Sequence, residues 1–546
     1  MSTNPPSTPE KPEQEAKQEQ NDAFFEDEPI ITASQSPHLS GWRLWLTTSA
    51  IMLATFLVNI EVSIVGTSLI TIANSLHRFS ETSWIVTGYL VTYTGFMIIW
   101  SKLSDVIGRK ITFITTMFLF VVFSGGCGAS QTLTQLTINR VFQGVGAAGT
   151  YSLAVVILFE MVPPSKYAAY SGGSVAVVSV ANVLGPIVGG LINNNGSWRW
   201  AFLFIVPFGV IAIGLMMIAF PARRLNQNTG SVSGLLKWAN LGRLDFLGAT
   251  LLLAASMLLV TALLEASIRF GWNAGGTIAL LVLSGCCWIG FLVWERFVTK
   301  RQRPEPIFPW TFFSNLTFLG MLLMTFMVGV PFNALIVNMP QRFQALDDKT
   351  ALGAGIWLLP YTVVSPVCSV ISNIVASKAR VPLIYLLLTG AVCHLVGVTL
   401  LSTLNGIDFP SAGLGYEAIA GAGVGITFSI LVLGTPFVVN PRDIAVATGA
   451  IVQLRFLGGA IGVAITSAYM NSYLKSSLAN ILSPDTLSAI LQDTSVIKGL
   501  TPQLQEDVKR TFAHGYATQI RILIGFTAAQ LLSIGLIWRK KQIKVP

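Results

Sequence analysis

Fourteen long apolar runs alternate with short polar connections along this chain, at roughly 44–72, 83–101, 111–129, 134–160, 168–192, 200–220, 246–265, 275–295, 315–339, 351–376, 382–404, 415–438, 443–470 and 517–538. About 20 apolar residues, rising 1.5 Å each, cross the hydrocarbon of a bilayer. Each run therefore predicts a membrane-spanning α-helix. The connections are charged where the runs are not; KLSDVIGRK, between the second and third runs, carries Lys102, Asp105, Arg109 and Lys110.

Composition agrees with the pattern. Hydrophobic residues make up 52% and charged ones 11%, with a mean hydropathy of +0.65, whereas a soluble domain carries roughly 25% charged residues. Too little polar surface exists to cover a water-soluble body of this size. Residues 1–42 differ: they are rich in Pro and in acids (Glu10, Glu13, Glu15, Glu19, Asp22, Glu26, Asp27, Glu28), which predicts a disordered tail. They lack the basic start, apolar core and small-residue cleavage site of a signal peptide, so the first helix is expected to direct insertion. Lys and Arg then fix orientation, because cytoplasmic connections are enriched in them. With the tail inside, the cytoplasmic side collects Lys102, Arg109, Lys110, Lys166, Arg223, Arg224, Lys237, Arg243, Arg296, Lys300, Arg301, Arg303, Lys378, Arg380, Arg442 and the basic C-terminal end. The short outer loops hold Arg78, Arg199, Arg269, Arg342 and Lys349.

The net charge of +9 is thereby spread over topogenic loops and does not form the basic, aromatic-laced patch that nucleic-acid binding requires. Cys127, Cys286, Cys287, Cys368 and Cys393 all fall in apolar runs, where they act as small hydrophobes. The histidines, His38, His77, His394 and His514, are scattered and form no metal-ligand spacing. No Walker-type loop is present to couple ATP. Gly144, Gly146 and Gly149 spell the dinucleotide-binding GxGxxG, but inside a membrane span, where the strand that motif needs cannot exist. Neither metal nor cofactor is expected, and the energy sources left are an ion gradient or the substrate's own.

Several motifs carry a resemblance. Leu103, Asp105, Gly108, Arg109 and Lys110 match the helix 2–3 motif G-x-L-[AS]-D-x-x-G-R-[KR] of the major facilitator superfamily, with Ser101 at the first glycine. Arg140, Gln143, Gly144, Gly146 and Ala148 match its fourth-helix motif. Gly185, Pro186, Gly189 and Gly190 match the fifth-helix motif of exporters that exchange substrate for protons. WRWAFLFIVPFG (Trp198–Gly209) and NIEVSIVGTSLITI (Asn59–Ile72) resemble the fourteen-span drug:proton antiporter subfamily, with Glu61, Gly66 and Ile70 where Asp, Asn and Pro are usual. RFLGGAIGVA (Arg455–Ala464) extends the likeness to helix thirteen. The chain as a whole resembles fungal efflux pumps.

That resemblance implies a fold: all-α, with two six-helix bundles related by a pseudo-two-fold along the membrane normal and helices seven and eight inserted between them. The expected division is 1–42 tail, 43–220 N-terminal bundle, 221–299 cytoplasmic loop and inserted pair, and 300–546 C-terminal bundle. It also implies that Asp105, Gly108, Arg109 and Lys110 latch the two halves on the cytoplasmic side, and that Gly185, Pro186, Gly189 and Gly190 serve close helix packing. Small residues four apart, as at Gly144/Ala148 and Gly185/Gly189, let helix backbones approach.

A charge at a helix centre costs about 2.5–3.5 kcal/mol on insertion scales, so those present are expected to face a polar cavity. Glu61 is the expected proton carrier and Arg140 its counter-charge: a carboxyl alternately paired and unpaired alternates in proton affinity. His394 and Arg455 are further cavity candidates, with Tyr89, Tyr93, Phe332, Asn333, Trp357 and Tyr361. Glu160, Glu265, Glu417 and Arg521 lie near helix ends, where long side chains reach the interface. Asn195-Gly-Ser197 is a glycosylation sequon in an outer loop. The expected protein is a monomeric, proton-coupled exporter of amphipathic organic compounds in the plasma membrane, with the vacuolar membrane as alternative. The competing readings are a siderophore or basic amino acid carrier, and a membrane-embedded enzyme or receptor.

Overall fold

The computed structural model describes residues 39–545 except 77–82, 196, 222–244, 267–270, 302–305, 480, 484, 488–489, 491–493 and 541. The acidic tail up to residue 38, the loop cations Arg78, Arg223, Arg224, Lys237, Arg243, Arg269 and Arg303, and His38 and His77 lie outside the described residues. So do the side chains of Gly66, Ile70, Pro186, Asn195 and Glu265.

Fourteen helices are long and apolar enough to span a membrane, and no strand occurs among the described residues. They are α1 Gly41–Leu76, α2 Ser83–Ile107, α3 Arg109–Ala129, α4 Leu133–Met161, α5 Tyr167–Asn195, α6 Ile205–Ala219, α7 Phe246–Glu265, α8 Gly275–Arg301, α9 Leu316–Ala345, α10 Leu359–Lys378, α11 Leu383–Leu401, α12 Ser411–Gly434, α13 Ile444–Leu478 and α14 Pro502–Ile537. In lipid every backbone polar group must be satisfied within its own segment, and a helix does this.

Packing shows an internal repeat. α1 packs on α4, α5 and α6, α2 on α4, and α3 on α4 and α6; adding eight to each number gives α9 on α12, α13 and α14, α10 on α12, and α11 on α12 and α14, all of which also pack. The two bundles meet through α2 against α13 and α5 against α10, contacts that the same shift interchanges. The inserted α7 lies on α2 and α13, along one seam, and carries α8 on its outer side. Because lipid is as apolar as the side chains, helix association rests on van der Waals packing of small residues. A Cβ on Gly144 of α4 would sit 2.5 Å from the Tyr89 carbonyl oxygen of α2, and one on Gly421 of α12 would sit 2.3 Å from that of Tyr361 on α10. These are matching crossings in the two bundles.

Three expectations change. KLSDVIGRK is not a loop: α2 runs to Ile107 and α3 starts at Arg109, with one non-helical residue between them, Gly108, at φ 106°. Only glycine takes that conformation without strain. The outer stretch 471–516 is largely helical, since α13 continues to Leu478 and α14 begins at Pro502; with Ile490 and Ile497 they bury Leu474, Leu478, Val508 and Phe512 in a small apolar cap. Finally, α8 continues to Arg301, so Arg296, Lys300 and Arg301 belong to a helix and not to a loop.

Candidate functional site

Glu61 and Arg140 come together. Glu61 lies in the middle of α1 and Arg140 two turns into α4, with exposures of 0% and 1%. Arg140 Nη1 donates to Glu61 Oε1 and to Gln143 Oε1 at 2.8 Å, while Nε donates to the Ile85 carbonyl at 3.0 Å. Gln143 is held in turn by donating to Ser124 Oγ at 2.8 Å. The guanidinium face lies 4.1 Å from the Tyr89 ring centroid. Burying two charges is costly unless their remaining valences are met; here Arg140 is well satisfied, and Glu61 Oε2 has no hydrogen-bond partner among the described residues. Gly185 of α5 backs onto Ser63, its would-be Cβ 2.2 Å from Ser63 Cβ, so α5 presses directly on the turn of α1 that carries Glu61. Gly189 is buried, whereas Gly190 has nothing within 4 Å.

From Arg140 an aromatic column runs toward the other bundle. Tyr89 stacks on Tyr93 at 5.5 Å, Tyr93 meets Phe456 of α13 edge-on at 5.0 Å, and the Arg455 guanidinium lies 4.9 Å from the Phe456 ring centroid. Arg455 also covers Phe428 at 4.1 Å and Phe332 at 5.2 Å. Two small cavities lie on the seam between bundles and share Val175 and Phe428; one is lined by Tyr151, Ser171 and Val452, the other by Phe332, Ser365, Val424 and Arg455. Each has about 20 Å³ of free space, room for about one water. An organic molecule does not fit without parting the bundles.

Tyr361 adjoins this centre, buried with its ring 6.1 Å from Phe332. Other candidates lie elsewhere. Asn333 packs over Gly459. Trp357 belongs to an outer cluster with Phe343 and Phe409, at 5.5 and 6.0 Å, and Lys349 lies over its ring. His394 is fully buried on α11 and pairs through Nδ1 with Gln530 of α14 at 3.1 Å; it lines neither cavity. Asn195 is the last helical residue of α5, not a loop residue.

At the opposite end, Arg109 gathers the motif charges. Its Nε lies 3.0 Å from both oxygens of Glu160, and Nη2 lies 2.7 Å from Glu160 Oε1 and 2.5 Å from Asp105 Oδ1. Lys110 donates to the Met217 and Phe220 carbonyls at the end of α6, where a cation meets the negative helix terminus. These contacts stay within the N-terminal bundle. The seam itself is crossed nearby by the Ile98 amide donating to Gln453 at 3.4 Å and by Asn373 donating to Ser171 at 3.3 Å. Ser101 meets Gly449 there, 2.7 Å from its would-be Cβ, so the glycine missing from α2 is supplied by α13.

Three buried charges were misplaced or missed by sequence reasoning, and one half-buried charge has a partner that it did not assign. Glu160, half-buried in the last turn of α4, is the main partner of Arg109. Arg342 is not a loop cation: it is 2% exposed in the last turn of α9, donates to the Gly406 carbonyl at 3.0 Å and lies 3.6 Å from Asp347. Burial holds that Asp347 carboxyl above its ordinary range, although the Phe409 amide donates to it. Glu417, near the start of α12, is 1% exposed, and both its oxygens lack a partner among the described residues. A signal for it existed: Glu417 precedes Gly421 by one turn, as Arg140 precedes Gly144. Glu295 is fully buried on α8 and accepts from the Phe308 amide at 3.2 Å; a charge beside Trp294 and Arg296 gave no such hint.

Comparison with known proteins agrees with this geometry. Residues 51–337 match the family model of the Major Facilitator Superfamily. The chain is 39% identical over 518 residues to the MFS-type transporter FPY5 of Fusarium mangiferae, covering 94% of this chain and 86% of that protein. It is 26% identical over 510 residues to the MFS-type efflux pump MFS1 of Arthroderma benhamiae, covering 92% of each. Among solved structures, a bacterial homolog of the human lysosomal transporter Spinster, inward-facing and unoccupied, superposes with a TM-score of 0.54 at 14% identity, covering 92% of this chain and all of that one. Fold, sequence and helix count together make this chain a multi-pass membrane transporter that belongs to the Major Facilitator Superfamily.

Proposed function

We propose that the protein exports amphipathic organic compounds across the plasma membrane in exchange for protons, by alternating access between its two bundles. The observation that carries this reading is the Glu61–Arg140 pair, fully buried, with one carboxylate oxygen left open. In this conformation the pair is sealed from water. Parting α5 from α1 would loosen the turn around Glu61 and weaken its contact with Arg140. A carboxyl deprived of its cation in a dry site binds a proton; restoring the contact releases it. The direction of transport rests on relatives whose names describe efflux pumps. The polar contacts across the seam at the Arg109 end, cytoplasmic by the distribution of basic residues, fit a state closed on that side.

The test is transport by the full-length protein in proteoliposomes, with a substrate first identified by export from cells stripped of their own pumps. Under an imposed proton gradient, flux should stop with a protonophore and fall at least about tenfold in Glu61→Gln, while substrate counterflow without a gradient persists. Full gradient-driven flux in Glu61→Gln would sink the proposal.

A further inference from the structure

We infer that the central site selects amphipathic organic anions, with Arg455 as the residue that binds the acidic head group. This rests on the exporter reading above and narrows its substrate class. Arg455 is 6% exposed, in the interior of α13. Among the described residues the two other buried arginines have acidic neighbours, Glu61 for Arg140 and Asp347 for Arg342, as does the part-buried Arg109 with Asp105 and Glu160. Arg455 has neither an ion pair nor a side-chain hydrogen bond among the described residues. Its surroundings are the rings of Phe332, Phe428 and Phe456.

The geometry separates two kinds of valence. Cation–π contact uses the faces of a guanidinium, whereas its five N–H donors lie in the plane and point outward from the edge. Rings therefore hold the charge in place and leave its donors unspent. The backbone beneath is fixed, because a Cβ on Gly329 of α9 would lie 2.1 Å from the Arg455 carbonyl oxygen. The side chain lines the seam cavity, whose other walls are mainly apolar: Val175, Val178, Val424, Phe332 and Phe428. A single fixed cation with in-plane donors, facing apolar walls, matches one carboxylate or comparably acidic oxygen on a greasy body. It repels ammonium substrates, which argues against the basic amino acid alternative.

The cavity and its neighbour share Val175 and Phe428, so separation of α5 from α12 would merge them beside Arg455. The aromatic column from Phe456 to Tyr89 then joins the anion head to the Arg140–Glu61 pair, giving substrate and proton sites a continuous packed connection.

The experiment is equilibrium binding to the purified full chain in nanodiscs, with no proton gradient. The probes are matched triples on naphthyl and pyrenyl bodies: the alkanoic acid, its primary amide and the corresponding amine. The acid should bind at least about tenfold more tightly than the amide, and the amine most weakly. In Arg455→Gln the acid-to-amide ratio should fall to about one, and Arg455→Lys should restore part of it. Equal binding of acid and amide by the unaltered protein, a preference that survives in Arg455→Gln, or no binding of any acid at millimolar concentration would each overturn the inference. Because the measurement needs no gradient, its failure leaves the role of Glu61 standing, and failure of the Glu61→Gln flux test leaves this inference standing.

Discussion

The two bundles share one packing plan and use it for opposite electrostatic arrangements. In the N-terminal bundle, one turn before the Gly144–Tyr89 crossing, Arg140 finds Glu61, Gln143 and the Ile85 carbonyl. In the C-terminal bundle, one turn before the matching Gly421–Tyr361 crossing, Glu417 finds no hydrogen-bond partner among the described residues, and the central cation Arg455 finds rings, and among the described residues no acid, around it. The helix crossings are set by backbone contact at small residues, so they tolerate any charge nearby. What differs is whether charges are closed on each other or left for something that arrives from outside.

The largest effect should come from breaking the closed pair. Arg140→Met strands Glu61 in a dry site and should cost about 3–5 kcal/mol, whereas Arg140→Met with Glu61→Leu should recover most of that loss. Thermal unfolding of the purified variants checks both. Next come the crossings. Gly144→Ala and Gly421→Ala each push a methyl into a facing backbone at 2.5 and 2.3 Å and should each cost about 1–3 kcal/mol; a tolerated change at one alone would break the correspondence between bundles. Glu417→Met removes an unpaired buried carboxyl and should stabilise by about 1 kcal/mol, the opposite sign to any change at the Arg140 pair. The smallest effect belongs to the fifth-helix motif. Gly190→Ala, with nothing within 4 Å, should gain about 0.5–1 kcal/mol of helix propensity, while Gly185→Ala, pressed on Ser63, should lose stability. Equal losses at both would restore a packing role for Gly190.

Sequence reading reached the spans, the pairing of Glu61 with Arg140 and the tight glycines, because each leaves a local mark: an unbroken apolar run, a charge stranded in it, or small residues four apart. It misjudged Arg342 and Glu417, since distance from a helix end is a poor guide to burial when neighbouring loops and helices fold over that end. It also read the motif charges as a link between bundles, whereas Arg109 closes on Glu160 and Asp105 of its own bundle and the seam is crossed by Ile98, Gln453, Ser171 and Asn373. Those four residues look unremarkable in sequence because their partners are more than 200 positions away.

By itself, then, the amino-acid sequence determined that fourteen helices cross a bilayer and where charge interrupts them, because solvation by lipid acts on each segment separately. Only the tertiary structure decided which charges meet. Glu61 and Arg140, and the rings around Arg455, are brought together by helices that pack through backbone contact at glycines, and a side chain's electrostatic neighbours follow from that packing and not from its place along the chain.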